Sequence, residues 1–188
     1  LADVRDGSTR VVFSDQGDAW VEECDDLRWF DDGARFSFVS ERDGWRHLYV
    51  IARDGSSVRL VTQGAYDVIS IQHIDDEGGY VYFLASPDDA TQRFLYRARL
   101  DGSGDLERLT PQPRGTHAYK ISPNGRYALH TWSSLGVPEQ VELVELPGHR
   151  TLRTLADNAA LREKLASLQL GHDEFFRVDA GDGVELDG

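Results

Sequence analysis

A phrase of eight residues that recurs at a nearly constant interval constrains the fold more than any other feature of this sequence. LYVIARDG at 48–55 returns as LYRARLDG at 95–102 and as VELVELPG at 141–148, after 47 and then 46 residues. The first two copies end in Asp-Gly, which after a strand-like run indicates a hairpin turn. A fixed period of roughly 20–50 residues indicates a repeat architecture.

Each repeat contains four strand-like segments, and three repeats follow one another. The predicted strands lie at 19–22, 34–40, 46–52, 58–62, 68–73, 80–85, 94–100, 106–109, 118–122, 126–132, 140–145 and 151–155. Four antiparallel strands at this period are typical of a β-propeller blade. Since propellers typically have at least four blades, three cannot close a ring, and we predict an all-β fold that is an incomplete β-propeller. We favour a piece of a larger propeller over association of the chain with copies of itself.

The segments outside the blades predict the domain organisation. Residues 1–18 are predicted to end a preceding blade, residues 19–155 to form three blades, and residues 156–188 to leave the propeller. In the last segment Leu161, Leu165 and Leu168 share one helical face, and Gly171 is a natural helix end. We expect a linker helix followed by the first strands of a connection to another domain.

Charge, cysteine and histidine usage exclude several classes of function. The formal net charge is −13 and the basic residues are scattered, which argues against a nucleic-acid-binding protein. Cys24 is the one cysteine, so no intramolecular disulfide can form. The six histidines show no metal-ligand spacing, and we expect neither a metal nor a cofactor. This composition is compatible with the cytoplasm or the periplasm of a bacterium.

The residues that would catalyse hydrolysis are not found in the sequence. No G-x-S-x-G nucleophile turn occurs, and the serines near glycine fall in predicted hairpin loops. His47 and His130 lie on predicted strands, and we expect both to be packed or hydrogen-bonded rather than to bind a ligand. We therefore expect the chain to contain no catalytic residue.

Glu22 and Glu23 begin an acidic stretch, EECDD at 22–26, which has two interpretations. It can be a solvated loop between two strands of a blade, which we favour. It can also be a carboxylate pair that anchors a positively charged group, such as a substrate amine. Adjacent side chains on a strand point to opposite faces, so the second interpretation needs a helical or bulged segment.

Five stretches resemble, in order and spacing, the propeller of the dipeptidyl peptidase IV subfamily of the prolyl oligopeptidase family. They are SERDGWRHLY at 40–49, TQGAYDVISI at 62–71, YFLASPDDATQRFLYR at 82–97, SPNGRYALHTWSS at 122–134 and LADNAALREKL at 155–165. The last of these is similar to the segment that follows the final blades in the family. The resemblance covers nearly the whole chain.

The resemblance implies an eight-bladed propeller followed by an α/β-hydrolase domain with a Ser, Asp and His triad. Such serine peptidases release dipeptides from peptide N-termini, commonly after Pro or Ala. This chain would then hold the last blades, wall the catalytic cavity, and gate and orient the peptide, while lacking the triad and being inactive alone. Its partners would be its own missing blades, the hydrolase domain and, through the full-length enzyme, peptides; a homodimeric parent is compatible with this reading.

The family also holds the substrate amine with a Glu pair in a motif similar to W-V-x-E-E. Trp20-Val21-Glu22-Glu23 resembles that motif, but the order of the flanking stretches places the family's pair in preceding sequence. Trp20-Val21 instead resembles a Trp-Val segment that the family has further along the chain. In relatives the residues after that segment line the edge of the pocket, so the resemblance makes Glu22 and Glu23 candidate substrate-binding residues. The alternatives are a stand-alone propeller that serves as a binding scaffold, and the propeller of a tripeptidyl or acylaminoacyl peptidase.

Overall fold

The structure is a computed structural model, and it describes residues 1–17, 20–24, 26–111, 114–169, 171 and 174–188. Strands dominate this part of the chain. Three four-stranded sheets comprise β1 (Arg28–Phe30), β2 (Arg35–Ser40), β3 (His47–Ala52) and β4 (Val58–Leu60); β5 (Val68–Asp75), β6 (Tyr80–Ala85), β7 (Phe94–Arg99) and β8 (Glu107–Arg108); and β9 (Thr116–Ile121), β10 (Tyr127–Ser134), β11 (Val137–Glu145) and β12 (Arg150–Ala156). One helix, α1 (Ala159–Ala166), and a hairpin of β13 (Arg177–Asp179) and β14 (Glu185–Asp187) follow.

Each four-stranded sheet is an antiparallel meander whose strands neighbour one another in chain order. This arrangement confirms the predicted fold class, an all-β chain built from propeller blades. Each repeat of 46–47 residues therefore forms one sheet, because the turn that ends each copy of the phrase joins two neighbouring strands of the same sheet.

The predicted first strand of the first blade is wrong. It was expected at 19–22, but the sheet begins at β1, and Trp20–Glu22 adopts no strand; residue 19 lies outside the described residues. The register pairs Trp29 with Phe36, and Phe30 is buried, whereas the Trp20 side chain is 79% exposed. Both stretches carry a tryptophan beside an apolar residue, so only the pairing with β2 distinguishes them.

The chain divides into two compact units, and the division passes through β7 and β8. The first unit is Leu1–Pro87 with Tyr96–Glu107, and the second is Asp88–Leu95 with Arg108–Gly188. In the first unit β3 and β6 are the most buried strands; Leu48 and Ile51 of β3 are fully enclosed, and Phe36 packs with Tyr49 and Ile51. A continuous buried run of this kind indicates a strand that is covered on both faces.

The hairpin signal Asp54-Gly55 has a structural reason beyond turn preference. Gly55 has φ +79°, and a Cβ there would lie 2.7 Å from the Val12 carbonyl oxygen. Gly102, its equivalent in the next repeat, has φ +69° and would lie 2.7 Å from the Leu60 oxygen. Glycine is required at both places because the backbone is left-handed and another backbone passes close by.

In the second unit β9, β10 and β11 each contribute buried side chains. Tyr119, Ala128 and Val144 are buried together with two histidines described below. The outer strand β12 is exposed along its whole length, and none of the α1 side chains is buried. Within the described residues, no helix is long and apolar enough to cross a membrane.

Candidate functional site

A cavity of about 480 Å³ lies in the first unit, between the segment that precedes β1 and the loop that joins β2 to β3. Its lining residues are Asp15, Gln16, Gly17, Trp20, Val21, Glu22, Glu23, Cys24, Val39, Ser40, Glu41, Arg42, Gly44 and Arg46. We call residues 41–46 the rim loop. The candidate pair Glu22 and Glu23 therefore lines the same cavity as residues of the SERDGWRHLY stretch.

Glu22 and Glu23 both line the cavity because their segment is not a strand. The sequence argument that neighbouring side chains diverge applies to extended strands, and residues 20–24 adopt neither a strand nor a helix. Both side chains are exposed, and neither has an ion-pair partner among the described residues. Two carboxylates without a neutralising partner give this part of the cavity a negative charge.

Two arginines line the same cavity, but both are engaged within the fold. Arg42 forms an ion pair with Asp15 at 3.2 Å, donates to the Ser14 carbonyl at 2.7 Å and lies over the Phe13 ring. These acceptors hold the guanidinium, and among the described residues it forms no ion pair with Glu22 or Glu23.

The guanidinium of Arg46 is held in the same way by backbone. It donates to the carbonyls of Val68 and Ile69, the latter at 3.1 Å, and its own amide donates to Asp67 Oδ1 at 2.7 Å. Carbonyl acceptors satisfy the donors of an arginine without neutralising a carboxylate elsewhere. The cavity therefore retains an excess of unpaired carboxylate.

Asp43 fixes the rim loop to β3. Its carboxylate accepts the His47 Nδ1–H at 2.8 Å, and His47 is buried. Burial opposes ionisation of Asp43, but hydrogen bonds from His47 and Tyr49 outweigh it and hold its pKa below the usual value. Burial, together with the bond to Asp43, raises the pKa of Tyr49 to about 12. The SERDGWRHLY stretch thus positions the cavity wall.

Cys24 ties the segment of Glu22 and Glu23 to the first sheet. The Val39 amide on β2 donates to the Cys24 sulfur at 3.4 Å. Sequence reasoning used this cysteine only to exclude a disulfide and did not identify Asp15, Arg42 or Arg46 as cavity residues. No local signal could have found them, because they come from separate segments that only the fold brings together.

The sequence predictions for two single residues, His47 and His130, have clear structural outcomes. His47 and His130 are both buried and hydrogen-bonded, as expected. Within the described residues, no three His, Cys, Asp or Glu side chains are grouped so that they could hold a metal ion. Two exposed carboxylates on one cavity, Glu22 and Glu23, are groups that can accept hydrogen bonds from a cation or an amine.

Comparison with known proteins links this chain to one family. A family model described as "Dipeptidyl peptidase IV (DPP IV) N-terminal region" matches residues 1–139. The probable dipeptidyl peptidase 4 of Emericella nidulans is 28% identical over 200 residues, covering 99% of this chain and 25% of the relative. That of Aspergillus flavus is 26% identical over 185 residues, covering 95% of this chain and 24% of the relative.

A solved structure shows the same similarity. The crystal structure of Porphyromonas gingivalis dipeptidyl peptidase 4 matches with a TM-score of 0.77 and 30% sequence identity, covering 86% of this chain and 22% of that chain. The chain thus spans about a quarter of the length of the relatives it matches.

Proposed function

The chain belongs to the family of the dipeptidyl peptidase IV N-terminal region, and on that premise we propose that it is the non-catalytic propeller part of a serine exopeptidase. The parent enzyme would release dipeptides from the N-termini of peptides, after Pro or Ala. The observation that carries this proposal is the family match over residues 1–139, together with three propeller-type sheets, of which the first two lie wholly within the matched stretch and the third lies partly within it.

In this proposal the chain contributes no catalytic residue, and catalysis belongs to the hydrolase domain. Residues 1–18 would end a preceding blade, residues 19–155 would form three blades, and residues 156–188 would lead toward the α/β-hydrolase domain. The positions of the three sheets and of α1 after the last sheet support this assignment. The blades would wall the catalytic chamber, so that short, extended peptides enter and folded proteins do not.

The proposed contact with substrate is the carboxylate pair Glu22 and Glu23. An N-terminal ammonium is a compact cation that forms strong, charge-assisted hydrogen bonds with carboxylates. Support comes from the placement of both residues on one cavity whose arginines are already engaged. The pair would orient the amino end of the peptide and leave bond cleavage to the hydrolase domain.

The first experiment compares the purified chain with the full-length enzyme on Ala-Pro p-nitroanilide. We expect turnover from the full-length enzyme and none from the chain, because no nucleophile turn is present in it. Turnover by the chain alone would refute the assignment. The reading frame beyond Gly188 gives an independent check: a G-x-S-x-G followed by Asp and His supports a peptidase, and their absence supports a binding scaffold.

The second experiment tests the carboxylate pair in the full-length enzyme with Glu22→Gln and Glu23→Gln. If the pair binds the substrate amine in the ground and transition states alike, KM rises about tenfold while kcat changes little. Glu77→Gln is the matched control, since Glu77 is an exposed carboxylate in the β5–β6 turn that does not line the cavity. An unchanged KM in both variants would remove Glu22 and Glu23 from the binding site.

A further inference from the structure

Three histidines of the second unit form a buried network that the proposed function does not use. His117 on β9 and His130 on β10 are 1% and 3% exposed, and His149 lies in the turn between β11 and β12. His117 Nδ1 is 2.8 Å from His130 Nε2, and His130 Nδ1 is 3.3 Å from an oxygen of Glu142 on β11. The contacts therefore link three adjacent strands of one sheet.

The hydrogen bonds of this network define where its protons lie. The Glu142 carboxylate can only accept, so His130 Nδ1 carries the hydrogen of that bond. In a neutral His130 the other nitrogen, Nε2, is then an acceptor, and His117 Nδ1 must donate to it. Donors therefore run from His117 through His130 to Glu142, and His130 is neutral in this arrangement.

A second chain of hydrogen bonds ends on His149. The Leu95 amide donates to Thr110 Oγ1 at 2.7 Å, Thr110 contacts the Tyr119 hydroxyl at 2.8 Å, and that hydroxyl contacts His149 Nε2 at 2.7 Å. Donation from Thr110 to Tyr119 and from Tyr119 to His149 uses every hydrogen. A protonated His149 would reverse both hydroxyls and leave the Thr110 hydrogen without an acceptor among these groups.

The rings of the network are stacked in a column. Tyr119 and His130 are 4.7 Å apart at 14°, His130 and His117 are 5.1 Å apart at 6°, and His117 and Trp132 are 5.9 Å apart at 16°. His149 meets His130 edge-on at 4.7 Å. We call these five residues, with Glu142, the histidine column. A positive charge on His130 would lie beside the imidazoles of His117 and His149.

Burial and the neighbouring imidazoles both disfavour protonation in the folded sheet. Burial, followed by the charges of His149 and His117, lowers the pKa of His130 to about 3. Burial lowers the pKa of His149 as well. An unfolded imidazole has a pKa of about 6.5, so these groups take up protons when the sheet opens.

The charged groups that face the column come from the strands on either side. Glu142 on β11 favours a proton on His130, but burial and the other imidazoles outweigh it. Arg108 on β8 is a permanent cation that acts electrostatically on Tyr119. One carboxylate thus faces three imidazoles and a guanidinium among the described groups.

We propose that the histidine column is an acid-sensitive latch, which holds β9, β10 and β11 together while its imidazoles are neutral and lets this sheet open when the solution becomes acidic. His130 and His149 bind protons more readily in the open state than in the closed state, so the closed state is favoured above about pH 6.5. Below that pH, each strongly shifted histidine raises the open fraction about tenfold per pH unit, or about 30-fold at pH 5. The inference is independent of the proposed function.

Hydrogen exchange measured by mass spectrometry on the whole chain tests the latch at about pH 7.5 and pH 5, with exchange times scaled for the intrinsic chemical rate. We expect the amides of β9–β11 to open at least about 30-fold more often at pH 5. Strands β2 and β3 of the first unit are the internal reference and should change little. Equal protection of β9–β11 at both pH values, or an equal change in β2 and β3, would overturn the proposal.

His130→Gln separates titration from packing. A glutamine amide can donate to Glu142 and accept from His117 but cannot be protonated. In this variant the ratio of β9–β11 opening at pH 5 to that at pH 7.5 should therefore be about 30-fold smaller than in the wild type. His73→Gln removes a half-buried imidazole of the first unit and should leave that dependence unchanged.

If His130→Gln does not fold, NMR of the imidazole nitrogens of the wild-type chain tests the latch instead. A neutral Nδ1–H form of His130 at pH 5 supports the latch, whereas titration of the folded chain near pH 6.5 contradicts it.

Discussion

Asp43 holds the rim loop of the cavity to β3. It receives a hydrogen bond from the buried His47 and one from Tyr49, while its neighbours Arg42 and Arg46 reach in two other directions to acceptors outside the loop. Three residues of the rim loop, Arg42, Asp43 and Arg46, thus have structural partners, and Gly44 between them has φ +94°. Their role is to hold the cavity wall, and they take no part in chemistry.

Asp43→Asn tests this role. The asparagine amide has the same shape as the carboxylate but no negative charge, so its hydrogen bonds with His47 and Tyr49 are weaker. We expect the free energy of unfolding to fall by about 1–3 kcal/mol. Urea denaturation at pH 7 measures it. Asp105→Asn, at an exposed loop position, is the control and should stay within about 0.5 kcal/mol of the wild type.

The pH dependence of the same variant supplies an independent check on Asp43. Because the pKa of Asp43 is lowered by folding, its contribution is present above the unfolded value of 3.8 and is lost as the pH falls through the folded value. The difference between wild type and Asp43→Asn should therefore shrink in acid below about pH 4. A difference that does not depend on pH would contradict the charge-based account.

At the scale of elements, the repeat extends beyond strand order to individual hydrogen bonds. The Leu48 amide of β3 donates to Thr62 Oγ1 at 2.9 Å, and the Leu95 amide of β7 donates to Thr110 Oγ1 at 2.7 Å. In each case a threonine just beyond the fourth strand satisfies a buried amide of the third. The repeated sequence therefore corresponds to a repeated hydrogen bond, which satisfies the equivalent buried backbone amide in both blades.

Gly55→Ala tests the hairpin of the first blade. Alanine at φ +79° costs about 1–2 kcal/mol, and its Cβ would also meet the Val12 oxygen at 2.7 Å, so we expect a total loss above about 2 kcal/mol. Gly104→Ala is the matched control, since Gly104 has φ +75° but its Cβ would meet nothing closer than 4.0 Å. Equal losses in thermal or urea unfolding would show that the close approach to Val12 contributes nothing.

At the scale of the whole molecule, the chain is three sheets of a propeller-type fold in a family whose matched members are about four times as long. The blades differ in how far they are buried: β3 and β6 are enclosed, whereas β12 is exposed throughout. Unpaired carboxylates gather at the cavity of the first unit, and imidazoles gather in the second. Substrate recognition and acid sensitivity are therefore proposed for different units.

The sequence by itself determined the features that depend on neighbours along the chain. Strand alternation, the Asp-Gly hairpins and the repeat period are local, so the four-stranded blades and most of their strands could be predicted. The first strand could not, because Trp20-Val21 and Trp29-Phe30 are similar stretches and only pairing with β2 selects the second.

Only the tertiary structure decided which distant side chains meet. Strand register places His117 opposite Trp132 and Tyr119 opposite His130, and it brings Glu142 beside them from a third strand. The sequence predicted that His130 is packed or hydrogen-bonded, but not that it belongs to a column. Likewise Glu22 and Glu23 were candidates from the start, yet their common cavity with Arg42 and Asp15 depends on a non-strand segment laid against the rim loop. Such contacts follow from packing, which no local pattern encodes.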